Sequence, residues 1–432
     1  MFMRHPKNDL PKGPQAILDA GSNELAVLIT DIDSEGKPVI LGHASHVSAG
    51  LRRGEVIDLN LFSNTLGKAV QAAERKTGIT VDHLNIVTSA GNPQSQIHRL
   101  NIDLSDEHIS PRELRRLQAR IAELPTPDGY EAVQHGLLQY IVNGTGHISN
   151  PIGMPGPKLE ADIAVLSLSK QTIENIRLAV AQNHLQMGEI HHSASVAAIA
   201  GMDADDRDVG CLQLDLGAGT TSAAIYSNDV LVYAFSLPVG LHDVTRDLVK
   251  IFDLSMNDAE RLKVVEGEII AVRPAVASPL PFPASGDNFV ISNPINPSDL
   301  IYLANGEPIE RHMLQDVISC RIDDILEMVQ ARIQQAGMRS VLSRRVRLSG
   351  GGAELRGLAD YISHKWNKHV AVGQPSGVQG SADLEKPLGL TAALGMALYL
   401  KSKPEMAIGE PNSRPSFFNA FGRLGHWLTE NI

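Results

Sequence analysis

"ILDAGSNELAVLI" (residues 17–29) and "LQLDLGAGTTSAAIY" (residues 212–226) repeat one pattern, and this repeat decides the fold. In each segment an apolar strand ends at an aspartate, Asp19 or Asp215, a loop opened by Asp-x-Gly follows, and a second strand begins. Glycines let backbone N–H groups approach a ligand closely, and an aspartate can hold the water shell of a Mg²⁺ ion. One such hairpin is an ordinary turn. Two copies predict duplicated domains that close on one polyphosphate ligand from both sides.

The composition is typical of a globular protein with more than one domain. The 432 residues are too many for a single hydrophobic core, and the shares of hydrophobic residues (43%) and charged residues (20%) are ordinary. The net charge of −11 argues against nucleic acid as the main partner, because phosphate binding needs a basic field. Cys211 and Cys320 form no CxxC pair and are predicted to be buried thiols in a reducing cytosol.

The sequence predicts a cytoplasmic chain without a spanning segment. Residues 1–15 have no apolar run that could form the core of a signal peptide. No stretch approaches the length of a membrane-spanning helix. We therefore expect any membrane contact to be peripheral.

Changes in the residue pattern along the chain indicate subdomains. Strand and helix patterns alternate from residue 15 to about 90, and the different block 91–168, with a helix capped by Ser110, indicates an insertion. The acidic stretch 203–208 is expected to be a solvated linker between the two halves. The stretch 273–297 has six prolines and no periodicity, which predicts a surface loop.

A third glycine motif, LSGGGAELRGL (residues 348–358), follows a strand late in the chain. Alone, Gly350, Gly351 and Gly352 are a weak signal similar to a Rossmann turn. Together with the two Asp-x-Gly hairpins they predict an actin-type nucleotide cleft, in which two loops hold the phosphates and the glycine turn lies under the adenine. The chain has no G-x-x-x-x-G-K-[ST], G-x-S-x-G or H-E-x-x-H motif, so a P-loop NTPase is excluded and no nucleophile stands out.

From about residue 16 onward the chain resembles the FtsA family of bacterial actin-like cell division proteins. The most specific marker is NPIGMPGPKLEADIAVLS (residues 150–167), which resembles the Asn-Pro-x-Gly segment of the family's inserted subdomain, called 1C. The stretch DAERLKVVEG (residues 258–267) is similar to the family's A-E-x-x-K helix. The resemblance implies ATP as ligand, with Mg²⁺ held through water by two aspartates. It implies these nucleotide-binding residues: Asp19, Gly21, Ser22, Asn23, Asp215, Gly217, Gly219, Thr220, Thr221, Glu260, Lys263, Gly350, Gly351 and Gly352.

The resemblance also implies the architecture. We expect an α/β actin-like ATPase fold of two duplicated ribonuclease-H-like domains, with an inserted 1C subdomain and a C-terminal amphipathic helix. The expected divisions are subdomain 1A at 15–90 and 169–205, 1C at 91–168, 2A at 206–244 and 345–400, 2B at 245–344, a linker at 401–416 and the amphipathic helix at 417–432.

Three positions depart from the family's pattern. Glu24 stands where relatives usually have a lysine after the first phosphate loop, and a carboxylate there repels phosphates unless it points away or meets the metal. Ala218 replaces a usual glycine, and Ser222 replaces a usual aspartate. The stretch HHSASVAAIAG (residues 191–201) has no Glu or Gln that could orient an attacking water. We therefore expect ATP hydrolysis to be slow or absent.

The resemblance implies a filament-forming adaptor rather than an enzyme. It would bind the C-terminal peptide of FtsZ through Arg321, in SCRIDDILEMV (residues 319–329), and tether the FtsZ ring to the inner face of the cytoplasmic membrane at the septum. It would recruit other division proteins through 1C. The alternative is a phosphotransferring enzyme of the same superfold, such as a sugar kinase or exopolyphosphatase, which needs a catalytic acid in the cleft. A third hypothesis is a pilus-assembly or competence relative that binds a membrane peptide, which the Asn-Pro-x-Gly segment and the C-terminal helix both disfavour.

The C-terminal tail follows a linker rich in Pro, Gly and Ser and has one apolar helical face. Burial of part of this face in the headgroup layer of a membrane gives on the order of 5–7 kcal/mol, or a Kd of roughly 10 μM to 0.2 mM. One tail therefore binds weakly, and several tails on one filament bind stably. The predicted membrane-binding residues are Phe417, Phe418, Phe421, Leu424, Trp427 and Leu428.

Overall fold

The computed structural model describes residues 13–104, 107–271, 299–342 and 345–402. In chain order the first half contains β1 Gln15–Ala20, β2 Glu24–Ile32, β3 Pro38–Val47, β4 Leu51–Arg52, β5 Glu55–Val56, α1 Leu59–Thr77, β6 His83–Thr88, β7 Gln94–Asp103, α2 Pro111–Ile121, β8 Tyr130–Val142, β9 Thr145–Ile148, β10 Lys158–Ser169, α3 Lys170–Ala181, β11 Gln186–His192, α4 Ser193–Gly201 and α5 Ala204–Val209. The second half contains β12 Cys211–Leu216, β13 Thr221–Ser227, β14 Val230–Leu237, α6 Leu241–Phe252, α7 Met256–Glu266, β15 Leu300–Tyr302, β16 Pro308–Glu310, α8 Arg311–Gln335, β17 Arg345–Ser349, α9 Leu358–Trp366, β18 His369–Val372 and α10 Thr391–Ser402.

Two five-stranded sheets form the centres of two domains. The first sheet has the order β11-β6-β1-β2-β3 and the second the order β14-β13-β12-β17-β18. In both, the strand that ends near the aspartate pairs antiparallel with the strand that follows it and parallel with the strand on its other side. The prediction of duplicated α/β domains is therefore confirmed, and Asp19 and Asp215 occupy equivalent positions.

Two helices, α4 and α10, each pack against the sheet of the domain that does not precede them in the chain. Helix α4 follows a strand of the first sheet, but its Ala194 and Ala198 pack against the second sheet, beside Cys211 and Ala224. Ala197 and Ala200 of the same helix pack in the cluster that contains α10. Helix α10 follows the second sheet but packs on the first, beside Ile17 and Leu28. The two helices cross closely: a Cβ on Gly395 would lie 1.8 Å from the carbonyl oxygen of Val196. The range 345–400, expected to belong to 2A, is therefore shared between the domains.

The inserted block forms a separate small subdomain. Its sheet has the order β7-β10-β8-β9, and α2 covers one face with Leu114, Leu117 and Ile121. Helix α2 begins with the predicted cap, because Ser110 and Glu113 form a capping box. The insertion contacts the second domain where the Ser95 hydroxyl bonds both backbone groups of Ala234.

Two expectations from the sequence are wrong. The acidic stretch 203–208 is not a solvated linker: it contains most of α5, and the buried Asp206 forms ion pairs with Arg345 (2.8 Å) and Arg347 (2.6 Å). Of the two predicted buried thiols, Cys211 is buried but Cys320 is exposed on α8. Asp206 can be buried because two guanidinium groups offset the loss of its hydration.

Several predicted segments lie outside the described residues. These are the proline-rich loop 273–297, the linker from 403 to 416 and the amphipathic helix 417–432. The first two residues assigned to the linker, 401 and 402, are the end of α10. Within the described ranges, no helix has the length and apolar character needed to cross a bilayer.

Candidate functional site

A cavity of about 410 Å³ lies between the two domains at the ends of their central strands. Both Asp-x-Gly loops and the glycine turn line it, although more than a hundred residues separate each from the next. Twelve of the fourteen residues predicted to bind nucleotide line this cavity: Asp19, Gly21, Ser22, Asn23, Asp215, Gly217, Thr220, Glu260, Lys263, Gly350, Gly351 and Gly352.

Two predicted residues are not among those that line the cavity. The hydroxyl of Thr221 is buried and donates to the Val239 carbonyl oxygen at 3.0 Å. Gly219 lies against the first domain, since a Cβ built on it would lie 2.5 Å from Ser22 Oγ. Ser222, one of the departures from the family pattern, is fully buried and hydrogen-bonds Ser236 at 2.9 Å. Its hydroxyl is therefore occupied within the second sheet.

The two aspartates line the cavity as a pair of half-buried carboxylates. Burial, the charge of Asp215 and the charge of Glu24 together raise the pKa of Asp19 to about 8. Burial also raises the pKa of Asp215, and the hydrogen bond from Ser349 Oγ at 3.0 Å opposes this rise. Hard oxygen ligands whose mutual repulsion a cation would relieve fit a hydrated Mg²⁺ ion. The residues present therefore fit the expected metal.

The glycine turn needs glycine at two of its three positions. Gly350 has φ +79°, and a Cβ there would lie 2.6 Å from the Leu216 carbonyl oxygen. A Cβ on Gly352 would lie 2.6 Å from the Leu241 side chain. A Cβ on Gly351 would meet no atom within 4 Å, so this glycine borders open space in the cavity. The turn thus brings backbone close to Leu216 and leaves room for a ligand at Gly351.

Glu260 and Lys263 form a fixed ion pair at the second-domain side of the cavity. Lys263 Nζ donates to Glu260 Oε2 at 2.7 Å, to Thr245 Oγ1 at 2.9 Å and to the Leu241 carbonyl oxygen at 3.2 Å. Burial lowers the pKa of Lys263, and the carboxylate of Glu260 opposes this effect. The pair is therefore positioned before any ligand arrives.

Other polar residues of the cavity were not predicted from the motifs. They are Ser89, Ser193, His242, Glu354, Arg356 and Lys386. Ser89 follows β6, which runs parallel to β1, so the rule that ligands bind at the carboxyl ends of parallel strands could have found it. The irregular segment that contains Lys386 has no comparable signal.

Arg321, the residue predicted to dock the FtsZ peptide, already has a partner. Its guanidinium forms a two-point ion pair with Asp247 on α6, at 2.7 and 3.2 Å, and a further bond to Asp324 at 3.1 Å. The hydrogen-bonded Asp247 raises the pKa of Arg321. Arg321 therefore also joins α6 to α8, and its side chain is 28% exposed.

Two family models match the chain. One, described as "Cell division protein FtsA", matches residues 212–395, and the other, described as "SHS2 domain inserted in FTSA", matches residues 90–167. Together the matches cover more than half of the chain. Curated relatives named "Cell division protein FtsA" match along nearly the whole length. The protein of Rhizobium meliloti is 28% identical over 96% of this chain and 94% of its own, and that of Pseudomonas aeruginosa is 23% identical over 96% and 97%.

Solved structures of related fold include a PilM–PilN type IV pilus biogenesis complex and MreB 5 of Spiroplasma citri bound to AMPPNP. The first is 15% identical with a TM-score of 0.60, and the match covers 90% of this chain and 99% of that chain. The second is 12% identical with a TM-score of 0.51, covering 91% and 97%. At these identities the similarity shows the fold alone, and the predicted actin-like fold is confirmed.

Proposed function

Because the chain belongs to the FtsA family of cell division proteins, we propose that it is an ATP-binding, filament-forming adaptor of the division machinery. In this proposal Mg-ATP occupies the cavity between the two domains. Filaments of the protein tether FtsZ to the inner face of the cytoplasmic membrane and recruit other division proteins through the inserted subdomain. The alternative of a sugar kinase or exopolyphosphatase is not favoured by the family matches.

The observation on which the nucleotide proposal depends is the meeting of three distant glycine motifs in one cavity. Two of them begin at half-buried aspartates that fit a hydrated cation, and the third leaves open space at Gly351. A protein of similar fold, MreB 5, is described as bound to AMPPNP. Bound Mg²⁺ would neutralise phosphate charge, and the backbone of the two loops would orient the phosphates.

We propose that any hydrolysis is slow. Helix α4 begins at the cavity with Ser193, and no Glu or Gln occurs in its sequence. A hydroxyl is a poor general base at neutral pH, so activation of an attacking water would be inefficient. Turnover should therefore lie far below an enzyme median of roughly 10 s⁻¹.

Titration with a fluorescent ATP analogue, with and without Mg²⁺, tests the nucleotide site. Gly351→Asp places bulk and negative charge in the open part of the cavity and should abolish binding. We expect it to fold, because a Cβ at this position meets no atom within 4 Å. Gly351→Ala is the matched control and should bind within about threefold of wild type, since one methyl group adds no charge. If Gly351→Asp binds as well as wild type, the proposed site is wrong. Rapid phosphate release by wild type would favour the enzyme alternative.

A further inference from the structure

A short β-hairpin of the first domain, with a two-residue turn, lies beside both Asp-x-Gly loops that line the cavity. Strands β4 and β5 pair at Arg52 and Glu55, and the turn between them is Arg53–Gly54. The Gly54 N–H donates to Ser22 Oγ in the first loop at 2.9 Å. A Cβ on Gly219 of the second loop would lie 3.2 Å from Arg53 Cα. The hairpin therefore contacts one loop from each domain.

The hairpin is anchored firmly on its own domain. Glu55 accepts a hydrogen bond from the Gly91 N–H at 2.9 Å and another from the Thr172 hydroxyl at 3.0 Å. These bonds join the hairpin to two distant parts of the first domain. The turn is therefore fixed to the first domain and is expected to move with it.

Arg53 is an unusual residue for its position. Arg53 and Gly54 have φ values of +50° and +83°, the type I′ geometry in which Asn, Asp or Gly is favoured first. A non-glycine side chain is disfavoured in this conformation. The backbone conformation therefore does not favour an arginine here, and any advantage of Arg53 lies in the contacts of its side chain.

The Arg53 side chain crosses to the second domain. Its Nη2 lies 3.2 Å from Oδ1 of Asp243, in the first turn of α6. Asp243 is held in place, because its Oδ2 accepts from the Gly240 N–H at 3.1 Å and its Oδ1 from Arg246 at 3.0 Å. A second contact between the domains, Thr220 Oγ1 to Ser89 Oγ at 2.8 Å, lies at the cavity itself.

We propose that the Arg53–Asp243 ion pair is a latch across the cleft that holds the two loops together and slows the release of bound nucleotide. This inference rests on the proposed nucleotide site. A polyphosphate held by loops of different domains leaves when those loops separate, and separation breaks the ion pair. Arg53 is thus a positioning residue that acts through the distance between the loops, without contact to the nucleotide.

Dissociation of a fluorescent ATP analogue in the presence of Mg²⁺ tests the latch in the full chain. Arg53→Gln removes the ion pair between the domains and should raise the dissociation rate at least about fivefold. Arg246→Gln is the matched control, because it removes a partner of the same Asp243 oxygen without crossing the cleft. It should stay within about twofold of wild type, and Arg53→Lys should be intermediate. Equal acceleration by both glutamine variants would overturn the latch.

A readout without nucleotide separates the latch from the proposed function. Ser89→Cys with Thr220→Cys, in a Cys320→Ser background, places two thiols on opposite sides of the cleft. With oxidised glutathione as the oxidant, which is reduced to two glutathione thiols, they form a disulfide in the closed state. Adding Arg53→Gln should slow its formation severalfold, whereas adding Arg246→Gln should not. An unchanged rate with Arg53→Gln overturns the latch. If the wild type fails to bind the analogue, the proposed nucleotide site fails, and the disulfide rates alone decide whether the latch exists.

Discussion

At the scale of single residues, the glycine turn and the two aspartates set what the cavity can hold. Gly350 lies so close to Leu216 that any side chain would collide with backbone, whereas Gly351 borders the cavity. Asp19 and Asp215 lie at the equivalent ends of equivalent strands, one in each of the two sheets. The positions of the three glycine motifs and the residue types in them could be predicted from the sequence. The direction of each side chain, such as that of Thr221, could not.

Alanine substitutions at Gly350 and Gly351 should differ in their effect on the free energy of unfolding. Gly350→Ala should lower the free energy of unfolding by on the order of 1–3 kcal/mol, because it adds a Cβ 2.6 Å from the Leu216 oxygen in a left-handed conformation. Gly351→Ala should change it by less than about 0.5 kcal/mol. Urea unfolding measures both, and equal losses would contradict the geometry of the turn.

The raised pKa of Asp19 should make the metal-free protein less stable at higher pH. Its folded-state pKa of about 8 exceeds the unfolded value of roughly 3.9, so the folded state binds the proton more tightly. Stability from this group is complete below the unfolded pKa and is lost as pH rises towards 8. With EDTA present, Asp19→Asn should therefore lose less Tm between pH 5 and pH 8 than wild type. Parallel declines of the two proteins would show that Asp19 does not titrate in this range.

At the scale of elements, local signals in the sequence mark the ends of helices, and distant partners explain the helix that was not predicted. Helix α1 begins where Asp58 accepts from the Leu61 N–H and ends at Gly78 in the left-handed conformation, and both caps are readable in the sequence. Helix α5 was missed because the partners of its buried Asp206 are Arg345 and Arg347, more than 130 residues away. Acidic composition alone indicated an exposed linker there.

The α6–α8 ion pair changes how the proposed FtsZ contact must be tested. Charge reversal at Arg321 would place a carboxylate against Asp247 and Asp324, so it would lower the stability of the fold as well as change the proposed docking site. Arg321→Gln is the better variant, and it should weaken binding of the FtsZ C-terminal peptide by about tenfold, as expected for loss of a charge-assisted hydrogen bond. Fluorescence anisotropy of a labelled peptide measures this change.

Arg311→Gln serves as the matched control for that measurement. Arg311 lies on the same helix and is paired with Glu266 at 3.1 Å, so Arg311→Gln loses one partly exposed ion pair, whereas Arg321→Gln loses its pairs with both Asp247 and Asp324. Each lost ion pair should lower the free energy of unfolding by about 0.2–1 kcal/mol, but only Arg321→Gln should weaken binding of the peptide. Equal peptide affinities for the two variants would remove Arg321 from the docking site.

At the scale of the whole molecule, the two domains are joined by elements that no local pattern reveals. Helix α10 returns to the first sheet, and Ile40 pairs with the backbone of Gln379. Duplication was visible in the repeated hairpins, but the exchange of α4 and α10 depends on packing between residues some two hundred positions apart. The two helices cross between the domains, and the cavity also lies between the domains. Contacts that join the domains, such as the Arg53–Asp243 pair, can therefore influence how far the cavity opens.

The proposed membrane attachment belongs to the whole molecule because it depends on many tails acting together. The apolar face of the tail should bind vesicles mainly through burial of aromatic and aliphatic side chains, since basic charge is sparse. Binding should therefore weaken only modestly between low and physiological salt. Phe421→Glu and Trp427→Glu place a charge on or beside this face and should release the protein from anionic vesicles in co-sedimentation.

The matched control for the tail is Asn419→Glu, which adds the same charge on the opposite side of a helix, about 160° from residue 421 at the helical period. It should pellet nearly as well as wild type, whereas a truncation after Glu410 should remain in the supernatant like Phe421→Glu. Because a single tail has a Kd of only roughly 10 μM to 0.2 mM, the pelleted fraction should rise steeply with protein concentration as filaments form. Equal pelleting of wild type, Phe421→Glu and the truncation would show that the tail is not the anchor.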